Sequence, residues 1–307
     1  MKICVRCILP SSFPGIKFDA AGICNHCRKG KGPSYDAICA YSGGKDSSYT
    51  LKILRERYGL RIIALVFDNH FISPAAWENV QAVADGLQVD VVRFRPPWPP
   101  LRRFFAAAAK EDIFPAAALL RASSICTGCI SLVKSLTIKT AVEMEIPLAA
   151  YGWSPGQAPI QAAIMKTNPS QVRQNQTSIR KAFPKPISCE LNPYLLPESH
   201  YEFYKDRFPI NIHPLAFFEY EEEAIKAELR DLGWRAPEDT DSNSTNCLLN
   251  AFANRVHLER HNFHPYVLEI ANMVRQGVMS RQEGIDKIYN SRQDEKMIVF
   301  AKDKLGL

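Results

Sequence analysis

The residues best suited to chemistry are the hexapeptide Ser42-Gly43-Gly44-Lys45-Asp46-Ser47 and nine cysteines, six of which fall in three Cys-x-x-Cys pairs. The hexapeptide follows a short apolar run, Asp36 to Tyr41. It leads into a segment, Ser47 to Tyr58, whose Leu51, Leu54 and Tyr58 have helical spacing. Strand, loop and helix in that order place two residues without side chains where backbone N–H groups close around phosphate oxygens. Lys45 would offset phosphate charge, the hydroxyls of Ser42 and Ser47 would donate hydrogen bonds, and Asp46 is suited to a Mg²⁺ ion bridging phosphates. A Gly-Gly turn alone would read as an ordinary strand-to-helix connection. The complete hexapeptide at the end of the first strand favours a phosphate loop.

Cys4, Cys7, Cys24 and Cys27 form Cys-x2-Cys-x16-Cys-x2-Cys, two knuckles able to place four thiolates around a structural Zn²⁺ ion. His26, inside the second knuckle, reads as solvated. Cys126-Thr127-Gly128-Cys129 is different, since it lies mid-chain before a helix expected to start near Ser131. A helix N-terminus lowers thiol pKa and favours a thiolate that carries sulfur, forms a disulfide or binds metal; the alternative is a buried pair of small apolar residues. Cys247 is the natural remote third cysteine, with Cys189 in competition, and Cys39 reads as core packing. His213, His257, His261 and His264 have no acidic ligand or general base at metalloenzyme spacing and read as structural. Arg173, Arg180, Lys181 and Lys185 form either a phosphate-contacting stretch or a solvated loop. Glu219 and Glu221 to Glu223 read as the exposed start of a helix.

The elements that must position these groups alternate as in a parallel sheet: strands at Asp36–Tyr41, Arg61–Phe67, Val89–Phe94 and Pro147–Tyr151, with helices at Ala75–Leu87 and Leu132–Met144. Pro96 to Pro100 reads as a rigid spacer. Gly156 to Pro197 lacks a period and reads either as a long active-site or partner-binding insertion or as one partly disordered without ligand. Helices follow at Glu219–Leu232, Ser244–Glu259, Tyr266–Arg275 and Ser280–Tyr289, the last opened by a Ser280/Glu283 capping box. The division expected is a zinc module over 1–32, an α/β domain over 33–215 and a helical C-terminal region over 216–307. With 307 residues, 46% of them apolar, the chain can bury a sizeable α/β core, and a net charge of +6 is only a mild bias toward polyanions. No apolar stretch reads as a signal peptide or a bilayer span, and unpaired cysteine usage suits a reducing compartment, so the expectation is cytoplasmic, with no membrane partner.

At Ser42 to Ser47 the sequence resembles the PP-loop ATP pyrophosphatase superfamily, over roughly Tyr35 to Trp153. The resemblance implies a doubly wound parallel sheet of HUP-like type, ATP cleaved between its α and β phosphates, and an adenylated substrate. It carries adenine contacts over to Val66, Phe67 and Asp68 at the end of the second strand, and Gly152, after the fourth strand, joins the nucleotide site. Cys126, Cys129 and Cys247 resemble the constellation of tRNA thiolation enzymes, in which three such cysteines hold a [4Fe–4S] cluster with one open iron. The segment Tyr151-Gly152-Trp153-Ser154-Pro155-Gly156-Gln157 departs from the Gly-His motif usual in that branch, so substrate recognition must differ. The N-terminal pattern around Cys4, Cys7 and Cys24 resembles instead the N-acetyl sugar amidotransferases.

The leading expectation is therefore an ATP-dependent sulfurtransferase. It would adenylate the carbonyl of a nucleobase, in a small molecule or in tRNA, and replace oxygen with sulfur from a persulfide or cluster-bound sulfide. Cys126, Cys129, Cys247 and Asp46 are its catalytic candidates, with ATP, Mg²⁺, Zn²⁺ and the cluster as cofactors. The rival is ammonia-dependent amidotransfer to an N-acetyl sugar or purine-like acceptor, and a third reading is a nucleotide-sensing or zinc-bridged interaction module. A sulfur-donor or glutaminase partner protein and a homodimer are compatible with these readings.

Overall fold

The computed structural model of the chain describes residues 2–5, 10–18, 20–24, 34–182, 190–240, 244–290 and 294–307. The chain forms two compact units, residues 1–34 and 35–307. In the first, isolated antiparallel bridges join Ile3 to Pro10 and Phe18 to Cys24, and the Val5 N–H donates to the Gly22 carbonyl at 3.2 Å. Cys4 and Cys24 are buried, and the Cys24 N–H donates to Cys4 Sγ at 3.2 Å. Cys7, Cys27 and His26 lie outside the described residues.

The second unit is α/β. Its six-stranded sheet has the order β3-β2-β1-β4-β6-β5, with β1 Ala37–Tyr41, β2 Ile62–Phe67, β3 Asp90–Phe94, β4 Leu148–Tyr151, β5 Ile164–Lys166 and β6 Ile210–Ile212. All pairings are parallel except that of the edge strand β5 with β6. Strand β2 is buried at every position, as a strand covered on both faces must be. Alternation then assigns its side chains to the two layers. Ile63, Leu65 and Phe67 join Ile38 in one core cluster, whereas Ala64 and Val66 join Cys39 and Tyr41 in the other.

The second layer is built by α1 (Lys45–Lys52, continued as a π-helical turn to Arg57), α2 (Pro74–Leu87) and α7 (Glu222–Arg230), through Leu51, Leu54, Val80, Val83, Ile225 and Leu229. The first is built by α3 (Trp98–Lys110), α4 (Ser124–Glu143), α8 (Asn250–His261) and α11 (Glu295–Leu305). The helical region 216–307 thus shares its core with the sheet: Phe252, Ile298 and Leu305 pack in the cluster that holds Ile38 and Leu65.

Three expectations need correction. Pro96 to Pro100 is not a spacer, because Pro99 and Pro100 open α3, where a missing N–H costs nothing. Burial of Leu101, Phe104 and Phe105 then stabilises the helix by about 1.5–3 kcal/mol per side chain. The stretch after Gly156 is largely ordered, contributing β5, α5 (Pro169–Ala182) and α6 (Glu198–Phe203), while 183–189, with Cys189 and Lys185, lies outside the described residues. Helix α4, at 20 residues, is long and apolar enough by composition to cross a membrane. Its burial against the sheet explains the composition: Leu132, Leu136 and Ala141 sit in the core cluster of Ile38. Further helices include α9 (Val267–Arg275) and α10 (Arg281–Ile285), and the Ser280/Glu283 capping box is present.

Candidate active site

Strand β1 lies between β2 and β4, so the crossovers to its two neighbours run in opposite directions and leave a crevice at its carboxyl end. Residues 42–47 occupy that crevice. Gly43 has φ +75°, and a Cβ there would stand 2.3 Å from the Ala76 carbonyl oxygen, so both conformation and space demand glycine. A Cβ at Gly152 would stand 2.6 Å from Ser47 N and Cα. The turn after β4 therefore presses on the first residues of α1, a physical reason for glycine at a position the sequence assigned only by resemblance.

The loop is tied together from within and from the C-terminal region. The Ser42 and Ser47 hydroxyls are 3.1 Å apart, and Ser47 Oγ donates to the Gly44 carbonyl at 3.0 Å. Trp234 Nε1 donates to the Gly43 carbonyl at 2.9 Å. The Lys45 N–H, one of the free donors at the start of α1, donates to Thr245 Oγ1 at 3.1 Å. Lys45 is buried, and its Nζ lies 3.1 Å from Asp46 Oδ1 and 3.7 Å from Glu222 Oε2. The Tyr220 hydroxyl donates to Asp46 Oδ1 at 2.7 Å and accepts from Lys45 Nζ at 2.5 Å. Burial pushes the Glu222 carboxyl up, but Lys45, Lys287 and Lys226 together hold it down at about 2. Glu222 is thus a charge partner of the loop lysine as well as part of an acidic helix start.

The central cysteines sit differently from expectation. Helix α4 starts at Ser124 and contains both, with Ser123 as N-cap accepting from the Cys126 N–H at 3.2 Å. Spacing of i, i+3 puts the two thiols on one face. The Gly128 between them packs on Phe104, whose ring a Cβ would meet at 1.9 Å. Cys247 does not open a helix, because α8 begins only at Asn250. Residues 246–248 instead pair with 71–73: Ser73 N–H donates to the Asn246 carbonyl at 3.0 Å, and Leu248 N–H to the Phe71 carbonyl at 2.8 Å. This pairing brings Cys247 to Asn69, whose Nδ2 lies 3.6 Å from Cys247 Sγ and 3.7 Å from Cys129 Sγ. Asn69 Oδ1 accepts from the Phe71 N–H at 2.9 Å, which fixes the amide.

Burial works against the expected thiolates. Burial pushes the Cys126 thiol up to about 12, with the Ser123 hydroxyl acting weakly in the other direction, and it raises Cys129 and Cys247 as well. Desolvation wins over the helix N-terminus. Among the described residues, no group of three or more His, Cys, Asp or Glu side chains is arranged to hold a metal ion. Cys129 and Cys247 share Asn69, and Cys126 lies one helical turn before Cys129 on the same helix face.

Other predicted residues are not gathered here. The side chains of Val66 and Phe67 are buried in opposite layers, leaving only backbone for an adenine contact, and Asp68 is buried in ion pairs with Arg93 and Arg95. Burial lowers His213, His257 and His264 to about 4, so they are neutral core residues. Arg173 pairs with Glu198 at 2.6 Å, and Arg180 Nε donates to Asn192. Cys39 is wholly buried, as expected. Sequence reasoning missed Asn69, Tyr220, Trp234 and Thr245. Asn69 alone had a visible signal, since it directly follows the carboxyl end of a parallel strand, where open α/β sheets place ligands.

No protein-family model matches the chain. An uncharacterised protein of Methanocaldococcus jannaschii is 25% identical over 285 residues, spanning 92% of this chain and 83% of its own. Two solved structures are similar at 15% identity. One is the U34-tRNA thiolase NcsA of Methanococcus maripaludis with its [4Fe–4S] cluster, with TM-score 0.38 over 100% of this chain and 99% of that one. The other is a predicted subunit of tRNA methyltransferase from M. jannaschii, with TM-score 0.34 over 75% of this chain and 89% of that one. None of these likenesses is close enough to assign a family.

Proposed function

We propose that the chain adenylates a carbonyl oxygen with ATP and then replaces that oxygen with sulfur. One observation carries the reading: the loop 244–248 touches both halves of the site. Thr245 binds the backbone of the phosphate loop, and two residues later Cys247 meets Cys129 across Asn69. A nucleotide held by residues 42–47 therefore lies on the same short segment as the thiols, which is what a two-step reaction on one carbon requires.

In this reading Ser42, Gly43, Gly44 and Ser47 bind the phosphates and Lys45 offsets their charge, exchanging its internal partners Glu222 and Asp46 for the nucleotide. Asp46 would hold Mg²⁺. The acceptor's carbonyl oxygen attacks the α phosphorus, the bond to the β-phosphate bridging oxygen breaks, and pyrophosphate leaves. Hydrosulfide then adds to the activated carbon and the C–O bond breaks, releasing AMP. Cys126, Cys129 and Cys247 are a soft all-sulfur donor set, the chemistry that would hold an iron–sulfur cluster. When bound, such a cluster would supply the sulfide. The N–H···S contact between Cys4 and Cys24 supports a structural zinc site in the first unit, for which Cys7 and Cys27 are the further candidates that the sequence offers.

The test is an anaerobic assay for pyrophosphate and AMP, with tRNA and free nucleotides as acceptors, on the parent and on Lys45→Met and Cys247→Ser. Pyrophosphate lost in the first variant, and kept without product sulfur in the second, is the expected pattern. Full turnover with ammonia in Cys247→Ser contradicts the sulfur step.

A further inference from the structure

A cavity of about 560 Å³ opens between α4, α5 and α9, within the size range of small-molecule sites. Thr127, next to Cys126, lines it at one place. Glu269, which feels the charges of Asp46 and Lys45, lines it at another. The cavity thus has one wall residue adjacent in the chain to Cys126 and another within electrostatic reach of the phosphate loop. Two of its features lack a partner. Gln176, on α5, is 1% exposed, and among the described residues neither its Nε2 nor its Oε1 has a hydrogen-bond partner. A buried amide with both ends unmet is destabilising, and such groups in a folded protein call for a ligand or an explanation. Lys134 and Arg121 also line the wall, and among the described residues neither makes an ion pair. Lys134 Nζ sits 3.9 Å over the Trp153 ring, and burial together with Arg121 lowers it to about 8. The wall thus offers a donor–acceptor pair and two cations without an ion-pair partner among the described residues.

We propose that this cavity binds a small anion carrying a secondary amide, whose C=O and N–H pair with Nε2 and Oε1 of Gln176 while its negative group faces Lys134 and Arg121. The assignment rests on the proposed function in one respect, that this ligand is the acceptor. Two sources share the chemistry: the ring lactam of a nucleoside monophosphate and the acetamido group of an N-acetylated sugar phosphate.

Titration calorimetry without ATP separates them, with uridine 5′-monophosphate and N-acetylglucosamine 1-phosphate as probes and inorganic phosphate as the charge control. One probe binds and the other does not, which names the source. Gln176→Leu weakens that probe about tenfold or more while thermal stability is unchanged or higher, because an unmet buried amide has been removed. Lys134→Met weakens the phosphorylated probe but not its dephosphorylated form. The inference is overturned if neither probe binds, if inorganic phosphate binds as well as either, if Gln176→Leu binds like the parent, or if Gln176→Leu loses thermal stability along with binding. Because ATP is absent, failure here leaves pyrophosphate release untouched. Conversely, Gln176-dependent binding in a protein that cuts ATP to ADP preserves this site and removes the proposed reaction.

Discussion

Replacing Gly152 by alanine probes the placement of the phosphate loop without touching any side chain of the site. The added methyl would stand 2.6 Å from Ser47 N and Cα and 2.8 Å from the Asp46 carbonyl carbon. Ordinary carbon contacts lie at about 3.5–4.0 Å, so roughly 1 Å must be found. All three neighbours are backbone and cannot rotate aside. Gly152 is not in the left-handed region, so the whole penalty is steric. Overpacking of this kind costs about 1–3 kcal/mol, which leaves the chain folded with a Tm lower by a few degrees. The larger effect is on geometry, because the start of α1 carries Lys45, Asp46 and Ser47, and displacement by about 1 Å costs on the order of 100-fold in a positioned reaction. Pyrophosphate release by Gly152→Ala should therefore fall about 100-fold in kcat/KM, with an unchanged far-ultraviolet dichroism spectrum. A variant that folds, binds ATP and turns over like the parent would refute the reasoning.

Acid should destabilise the fold through His213, which burial holds at about 4 against an ordinary 6.5. Above pH 6.5 both states are neutral; between 6.5 and 4 the unfolded chain gains a proton that the folded one refuses, a loss of up to about 3 kcal/mol. Urea midpoints from pH 7 to pH 4 measure it, and His213→Phe, which keeps a ring on Trp153, should flatten the slope. Glu222 adds a second loss at lower pH: its carboxyl is held down at about 2, so its stabilisation is present above the ordinary carboxylate range and disappears as pH falls toward 2. Thr245→Val removes the bond from Lys45 N–H, costing about 0.5–1.5 kcal/mol. It should uncouple the halves of the site, with ATP binding kept and product sulfur reduced. Reconstitution with iron and sulfide should give a brown protein, and Cys126→Ala should abolish the absorbance while pyrophosphate release remains.

Much of the sheet was legible because its strands are continuous apolar runs bounded by glycine and polar turns, and Ser42 to Ser47 was legible because its residue types have few other uses together. Helix α3 was hidden by prolines that break helices everywhere except in their first turn. The start of α4 was misplaced by seven residues because its N-cap, Ser123, lies in a run of small residues without apolar period. Between a thiolate and a buried pair at Cys126 and Cys129 the sequence could not choose, because helix position is readable in a sequence and burial depth is not. Tyr220, Trp234 and Thr245 could not be found from spacing, since they reach the phosphate loop across 175 to 200 residues of chain.

The most direct test of the account is the fate of ATP and acceptor in one anaerobic reaction, read by mass spectrometry. AMP and pyrophosphate in equal amounts, with an acceptor heavier by sulfur minus oxygen, are the predicted result. ADP and phosphate, or an acceptor that gains nitrogen in place of oxygen, would contradict it.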